Sequence, residues 1–499
     1  MNVKILSTVF MNQFLKHYLF KEDIFHMSSE QKKLGLLALT ALVISSSIGS
    51  GIFGISTDMA ESASPGAAII AWIVVGLGVL MLCLSLINLI NKRPDLSGIL
   101  SYAEAGFGPF GGFISGWGYW LSAWLGNVAF ATMMMSALAY FFPVFGNGNN
   151  LISIIVASVI LWLMFFLVNR GVESAAALNT IITICKLVPL FAFIVIAIFS
   201  FKADVFTANF WGTLSGNFET KEVFSQIQNS MMVLMWVFVG IEGAAMMADR
   251  AESKSVAGKS TILGLVGLLF VYILISILPY GLMEREAIAE LGQPAMGYLL
   301  ASLVGPWGAA FVNIGLIISI FGCWLSWTML PAETTLLMAK GNLLPKKFGE
   351  LNEAKSPTFS LFFMTVLTQL FIFTLLFTDK AYNFAYSLCT AAIFVSWIFV
   401  TLYQAKYSFE NREKKGEMLQ FVIGVLGTIF YLWAIWASGI EYFLLCLTVY
   451  ILGIFLYVKG RKEAGVEKVF SSKEYITIAF IVVGAAISIY MLATGQIAM

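Results

Sequence analysis

The sequence predicts an all-α integral membrane protein with 12–13 transmembrane helices, and three observations carry that prediction. The first is composition: of 499 residues, 59% are hydrophobic and only 11% are charged, whereas soluble domains run near 25% charged. A water-soluble fold of this length needs a polar surface that the chain does not supply. The second is a succession of apolar stretches long enough to cross a bilayer. The third is an alternation of basic and non-basic loops between them.

A span needs about 20 apolar residues. Candidates fall near 35–60, 66–90, 110–142, 151–169, 176–201, 224–248, 259–281, 303–338, 358–377, 382–405, 418–438, 440–458 and 474–497. In lipid each segment must satisfy its own backbone, so these are helices. With the N-terminus in the cytoplasm, the inward loops hold Lys92 and Arg93, Arg170, Arg250 and Lys254, Lys340 to Lys355, Lys406 to Lys415, and Lys459 to Lys473. The outward loops hold only Lys202, Lys221, Arg285 and Lys380. This is the positive-inside pattern, and an odd count places the C-terminus outside. The run Glu410 to Lys415 is then a solvated cytoplasmic loop. The organisation expected is a cytoplasmic segment at 1–34, a ten-helix transport core at 35–405, and accessory helices 11–13 at 406–499. Residues 1–26 lack an A-x-A site, so no cleaved signal is expected. An interfacial segment and a start of translation at Met27 both stay open.

Several function classes drop out. Net charge is +1, which gives no electrostatic case for nucleic acid. Cys83, Cys185, Cys323, Cys389 and Cys446 lie in apolar runs without CxxC spacing and read as small buried hydrophobes. His17 and His26 precede the first long apolar run, which excludes a histidine relay within the membrane. No metal spacing, nucleotide motif or nucleophile constellation is present, so neither an enzyme nor a cofactor or metal is expected. The glycine-rich Gly106 to Gly112 opens a membrane helix with no strand before it, unlike a phosphate loop.

Two spans are interrupted at matching places. The first contains Ser46-Ser47-Ile48-Gly49-Ser50-Gly51-Ile52-Phe53, and the sixth contains Trp236-Val237-Phe238-Val239-Gly240-Ile241-Glu242-Gly243. Glycine weakens a helix interior by roughly 1 kcal/mol. The two positions correspond if helices 1–5 and 6–10 form two five-helix units, the pattern of transporters built as inverted repeats. An unwound segment frees backbone N–H groups, and the half-helix after it turns its positive end toward the gap. A substrate carboxylate can be held there, while unwound carbonyls accept from its ammonium. Close packing of small residues is the competing explanation.

Charges inside spans cost about 2.5–3.5 kcal/mol even on insertion scales, and they are functional by default. Glu242 sits three residues from the sixth-span break. It is expected to exchange a proton, to attract a cationic substrate or to gate the path. Lys186, mid-way along the fifth span, is too deep to snorkel easily and is expected to donate to carbonyls of the unwound first helix. Glu333, near the cytoplasmic end of the eighth span, reads as capping or snorkelling. Trp236, Trp324 and Trp327 are spaced for helix faces, and aromatic residues in a bundle are usually packing or belt; Trp236, close to the break, is the better candidate for a pocket wall.

These segments resemble the amino acid–polyamine–organocation superfamily and, within it, the basic amino acid/polyamine antiporters. Ile48 to Phe53 is similar to that family's Gly-Ser-Gly carboxylate site, and Trp236 through Glu242 to its Trp-x-Phe-x-Gly-x-Glu segment. Tyr119-Trp120-Leu121-Ser122-Ala123-Trp124-Leu125-Gly126-Asn127 resembles the third helix of the arginine/agmatine type. Trp327 resembles the middle gate of the eighth helix, and Lys186 the fifth-helix lysine of proton-coupled relatives. The likeness spans residues 35 to 405, and Ala248 to Lys259 is most similar to the arginine/ornithine antiporter branch. It implies a LeuT-like five-plus-five core with broken helices 1 and 6. It also implies substrate contacts from Ile48, Gly49, Ser50, Gly51, Ile52, Ser122, Ala123, Asn127, Trp236, Phe238 and Gly240. Tyr119, Glu242, Trp327 and Lys186 take gating or proton-linked roles. A tenth-helix gating tyrosine is not identified, and thirteen spans exceed the superfamily's usual twelve.

The function expected is exchange of a cationic amino acid such as arginine for an amine product such as ornithine. Proton-coupled symport is the alternative, as is a decarboxylation pair such as lysine/cadaverine, histidine/histamine or agmatine/putrescine. Partners expected are these small molecules, the lipid of a cell (inner) membrane and, as one option, a second copy in a homodimer.

Overall fold

The computed structural model describes residues 35–96, 98–171, 176–243, 251–378 and 381–497. The readings made for residues 1–34 lie outside them. Eleven helices are long and apolar enough to cross a membrane. Besides these, the first expected span is divided between two helices, and the sixth is described as far as residue 243.

In chain order the elements are α1 Leu36–Ser47, α2 Gly51–Ser62, α3 Pro65–Lys92, α4 Gly98–Ala139, α5 Leu151–Asn169 and α6 Ala176–Ser200. There follow α7 Ala203–Ala208, α8 Thr220–Trp236, α9 Lys254–Ile277, α10 Arg285–Ala289, α11 Ala295–Val304 and α12 Pro306–Lys340. The last are α13 Thr358–Thr374, α14 Ala381–Glu410, α15 Glu417–Ala437, α16 Ile440–Glu463 and α17 Glu474–Ala493. α1 and α2 together are the first span, and α8 opens the sixth.

The third span starts earlier than hydropathy suggested. α4 includes an arm from Gly98 that meets the spanning part at Gly108, where φ is 77° and ψ −177°. Pro109 follows, and its missing N–H and fixed φ suit it to the start of a helix rather than its interior. The most apolar window of α4 is 94% buried, against 22% for α17. α4 is therefore a central post and α17 a peripheral helix facing outward. α14 and α12 run along α4, while α9 packs on α1 and α3. The short helices α10 and α11 cover α2.

Candidate functional site

The two interruptions meet at the centre of the bundle. α1 stops at Ser47, Ile48 leaves the helix at φ −76° and ψ 95°, and α2 restarts at Gly51. The last carbonyls of one helix and the first N–H groups of the next have no intrahelical partner. Two of those carbonyls are met by side chains. The buried Lys186 Nζ donates to the Ile48 carbonyl at 3.1 Å and lies 3.5 Å from Cys323 Sγ. The Tyr272 hydroxyl lies 3.1 Å from the Ser47 carbonyl.

In the sixth span α8 ends at Trp236, and the chain tightens into successive three-residue turns. Phe238 N–H donates to Met235, Val239 to Trp236, Ile241 to Phe238 and Gly243 to Gly240. Gly240 has φ 108°, which a side chain rarely tolerates, so glycine is required where the helix breaks. The same Tyr272 hydroxyl lies 2.8 Å from the Val237 carbonyl. A hydroxyl has one proton to give, so the two breaks share a single donor. Glu242 is buried, and its Oε2 accepts from Gly240 N–H at 3.2 Å and from Trp397 Nε1 at 3.3 Å. The carboxylate thus pins the turn to α14.

Between the breaks lies a cavity lined by Ser47, Gly49, Gly51 and Ile52 on one side and Trp236, Val237 and Val239 on the other. Phe130, Tyr272 and Trp327 close it. Its volume is ≈10 Å³, about the space of one water, so this is a closed form. The Trp236 ring lies 6.5 Å from Trp327 at 71° and stacks on Tyr386 at 5.9 Å and 15°. Its Nε1 donates to the Tyr382 hydroxyl at 3.2 Å. Trp327 in turn meets Phe130 edge-on at 5.4 Å. A Cβ at position 51 would stand 2.6 Å from Trp236 Nε1, so the indole reaches the first break only because residue 51 is glycine. Ser47 Oγ is buried and has no hydrogen-bond partner among the described residues. The start of α2, with its free N–H groups and dipole, suits a carboxylate.

Residues 34–461 match the family model described as amino acid permease. The chain belongs to the amino acid permease family. An arginine/ornithine antiporter of Latilactobacillus sakei is 58% identical over 466 residues, covering 93% of this permease and 98% of that protein. An arginine/ornithine antiporter of Pseudomonas aeruginosa is 38% identical over 484 residues, covering 94% and 99%. An arginine/agmatine antiporter of Chlamydia felis is 39% identical over 479 residues, also covering 94% and 99%. These relatives are named as antiporters, and the permease is a multi-pass membrane transport protein rather than an enzyme.

Of the residues singled out from sequence, Gly49, Gly51, Ile52, Trp236 and Trp327 lie in the cavity wall. Ile48 and Lys186 meet beside it, and Ser50 is the buried N-cap of α2. Others stand elsewhere in the permease. Phe238 packs on Tyr272 at 5.4 Å and Trp72 at 6.2 Å, away from the wall. Val237 and Val239, its neighbours on either side, line the cavity, and Phe238 does not. Asn127 Nδ2 donates to the Trp327 carbonyl at 3.1 Å, and the Ser122 hydroxyl lies 3.2 Å from Cys389 Sγ. Ala123 and Tyr119 are buried along α4, also outside the wall. Gly240 and Glu242 shape the break without lining the cavity. Trp324 is fully buried, whereas Glu333 is exposed.

Several contributors were not read from the sequence. Phe130 lies on α4 three residues beyond Asn127, one helical step that the segment Tyr119–Asn127 stops short of. Tyr272 sits in an otherwise apolar span. Tyr382 and Tyr386, four residues apart on α14 in the tenth span, both meet Trp236. A Tyr-x-x-x-Tyr pair facing a cavity tryptophan was the signal available.

Proposed function

We propose that the permease exchanges arginine for ornithine across a cell (inner) membrane, with its N-terminus in the cytoplasm. The observation that carries this is the pair of broken helices facing one closed cavity, with the Lys186 ammonium on the Ile48 carbonyl. The relatives named above are arginine/ornithine and arginine/agmatine antiporters, and the positive-inside pattern supports the orientation.

In this reading the N–H groups at Gly49 to Gly51 hold the substrate carboxylate, and the α2 dipole favours its charge. Trp236 and Trp327 form the aromatic wall, over which a guanidinium or ammonium gains cation–π attraction. Glu242, fixed by Trp397 and Gly240, contributes negative potential and keeps the sixth-span turn in place. Lys186 supplies a fixed cation at the first break, so the site carries its own positive charge and exchange needs no coupling ion. The repeats of helices 1–5 and 6–10 form the core at 35–405, the helices after 405 are accessory, and the bundle holding the two breaks rocks to alternate access.

Counterflow tests it. Proteoliposomes loaded with ornithine should accumulate labelled arginine, while empty vesicles should not. Uptake into empty vesicles driven by a pH gradient would replace exchange with proton symport.

A further inference from the structure

A second, larger recess opens where three helices bring one end together. It is an open groove of ≈590 Å³ that shares no lining residue with the cavity between the breaks. Leu36 enters it from the start of α1, Asn91 from the last turn of α3, and Ser255 and Lys259 from the first two turns of α9. Leu84, Ile87, Ile262 and Leu263 make the rest of the wall mostly apolar. A volume of this size, apolar with a few polar groups, is that of a site for a small organic molecule. α9 comes close to α3 here because residue 258 is glycine: a Cβ there would stand 3.0 Å from Ile87 Cγ2.

The groove continues two apolar stripes. On α9, Lys259, Leu263, Val266 and Phe270 recur at helical spacing, and all four are exposed. On α3, the exposed Leu77 is followed at seven-residue steps by Leu84 and Asn91, which keeps the three on one face. The helices run antiparallel, since position 76 of α3 faces Leu269 whereas position 258 of α9 faces Ile87. Both stripes therefore turn polar at the same end, one at Asn91 and the other at Lys259. Lys259 has no ion pair or hydrogen bond among the described residues. Lys92, beside Asn91, is committed to Glu417 at 3.0 Å. Glu252 stands against Gly35 and, like Glu417, does not line the groove. Asn91 Nδ2 donates to the Ile87 carbonyl at 2.8 Å, which leaves its Oδ1 to accept, and the Ser255 hydroxyl can do either.

We infer that this groove is a binding site for one anionic phospholipid. Its acyl chains lie along the stripes of α3 and α9, its phosphate meets the Lys259 ammonium, and headgroup hydroxyls reach Asn91 and Ser255. Two apolar tails joined to one negative group match two apolar stripes joined at one free cation. A headgroup with its own ammonium neutralises its phosphate and gains less from Lys259, so the net-anionic lipid is preferred. With Leu36 in the wall, the occupant also touches α1, the helix that leads to the first break. The orientation proposed above puts the headgroup in the cytoplasmic leaflet, but binding itself does not depend on that orientation or on exchange.

The test uses the full chain purified in detergent and titrated with phosphatidylglycerol, or with phosphatidylethanolamine of the same acyl chains. Bound lipid is counted by native mass spectrometry. The wild type should retain one phosphatidylglycerol in preference to phosphatidylethanolamine. Lys259→Gln should weaken phosphatidylglycerol by about fivefold, the worth of one lysine at an anionic lipid surface, and Lys259→Arg should keep it. Leu84→Trp, which fills the groove and leaves the charge, should weaken both lipids. Lys415→Gln, an exposed lysine outside the groove, should change neither. A wild type without the preference overturns the proposal. So do equal losses in Lys259→Gln and Lys415→Gln, or undiminished binding in Leu84→Trp, since each would mean charge at the surface without a groove. Maleimide labelling of Ser255→Cys in the lipid-free chain gives a last check. The thiol should react, and phosphatidylglycerol should shield it. Protection before lipid is added would mean that residues 1–34 or a second copy fill the groove, and overturns the proposal as well.

Discussion

The Tyr272 hydroxyl is the smallest group whose removal should separate the two breaks. Tyr272→Phe keeps the ring, and with it the contacts to Trp72 at 6.3 Å and Phe238 at 5.4 Å. Only the donor shared by the Ser47 and Val237 carbonyls, at 3.1 and 2.8 Å, is lost. Leaving a buried acceptor without its donor costs about 1–3 kcal/mol. The hydroxyl reaches both carbonyls only when the breaks are together, so the cost falls on the closed form. An energy of that size corresponds to a roughly 5- to 150-fold change in an equilibrium. The expected result is a slower initial rate of arginine/ornithine counterflow and a lower unfolding midpoint in detergent. Tyr450→Phe is the control. Its hydroxyl donates at 3.0 Å to the Ile114 carbonyl, which lies within α4 and keeps the acceptor role of a helix interior. It should lower stability by only about 0.5–1.5 kcal/mol and leave counterflow intact. If Tyr272→Phe exchanges at the wild-type rate with an unchanged midpoint, or if both variants slow alike, the shared-donor argument is wrong.

Lys186→Met removes the donor at the Ile48 carbonyl. A hydrogen bond from a charged group contributes about 1.5–3 kcal/mol, so counterflow should fall by more than roughly tenfold, and a wild-type initial rate would count against a role for the ammonium. Gly51→Ala places a methyl 2.6 Å from Trp236 Nε1 and 2.8 Å from its Cδ1. Overpacking of this kind costs about 1–3 kcal/mol. The expected reading is a raised KM for arginine and altered tryptophan emission, and neither should change if the indole does not rest on the first break.

Much of this arrangement was legible in the chain. Hydropathy finds spans because lipid forces each segment to satisfy its own backbone, and mid-span glycines mark Ile48–Gly51 and Gly240 because helix interiors disfavour them. Lys186 stood out by charge, and its partner, the Ile48 carbonyl, followed from the idea of an unwound helix. Several residues named from the sequence do not line the cavity, for physical reasons. Phe238 was grouped with Trp236 by motif, whereas its ring packs against Tyr272 and Trp72. Asn127 and Ser122 share a helix with Phe130, but burial on every face of α4 hides which face meets the cavity. Tyr382 and Tyr386 lie in an apolar run where aromatic residues read as packing. Gly108 and Pro109 end an arm that hydropathy alone could not separate from a loop.

The single-water cavity has a consequence for pharmacology. A blocker shaped to this form would find nowhere to sit. Effective compounds must instead wedge open conformers, and their measured potency will be weakened in proportion to how rarely those conformers occur. Screens run under conditions that hold the permease open, or on variants that resist closing such as Tyr272→Phe, should therefore reveal binders that the resting protein conceals.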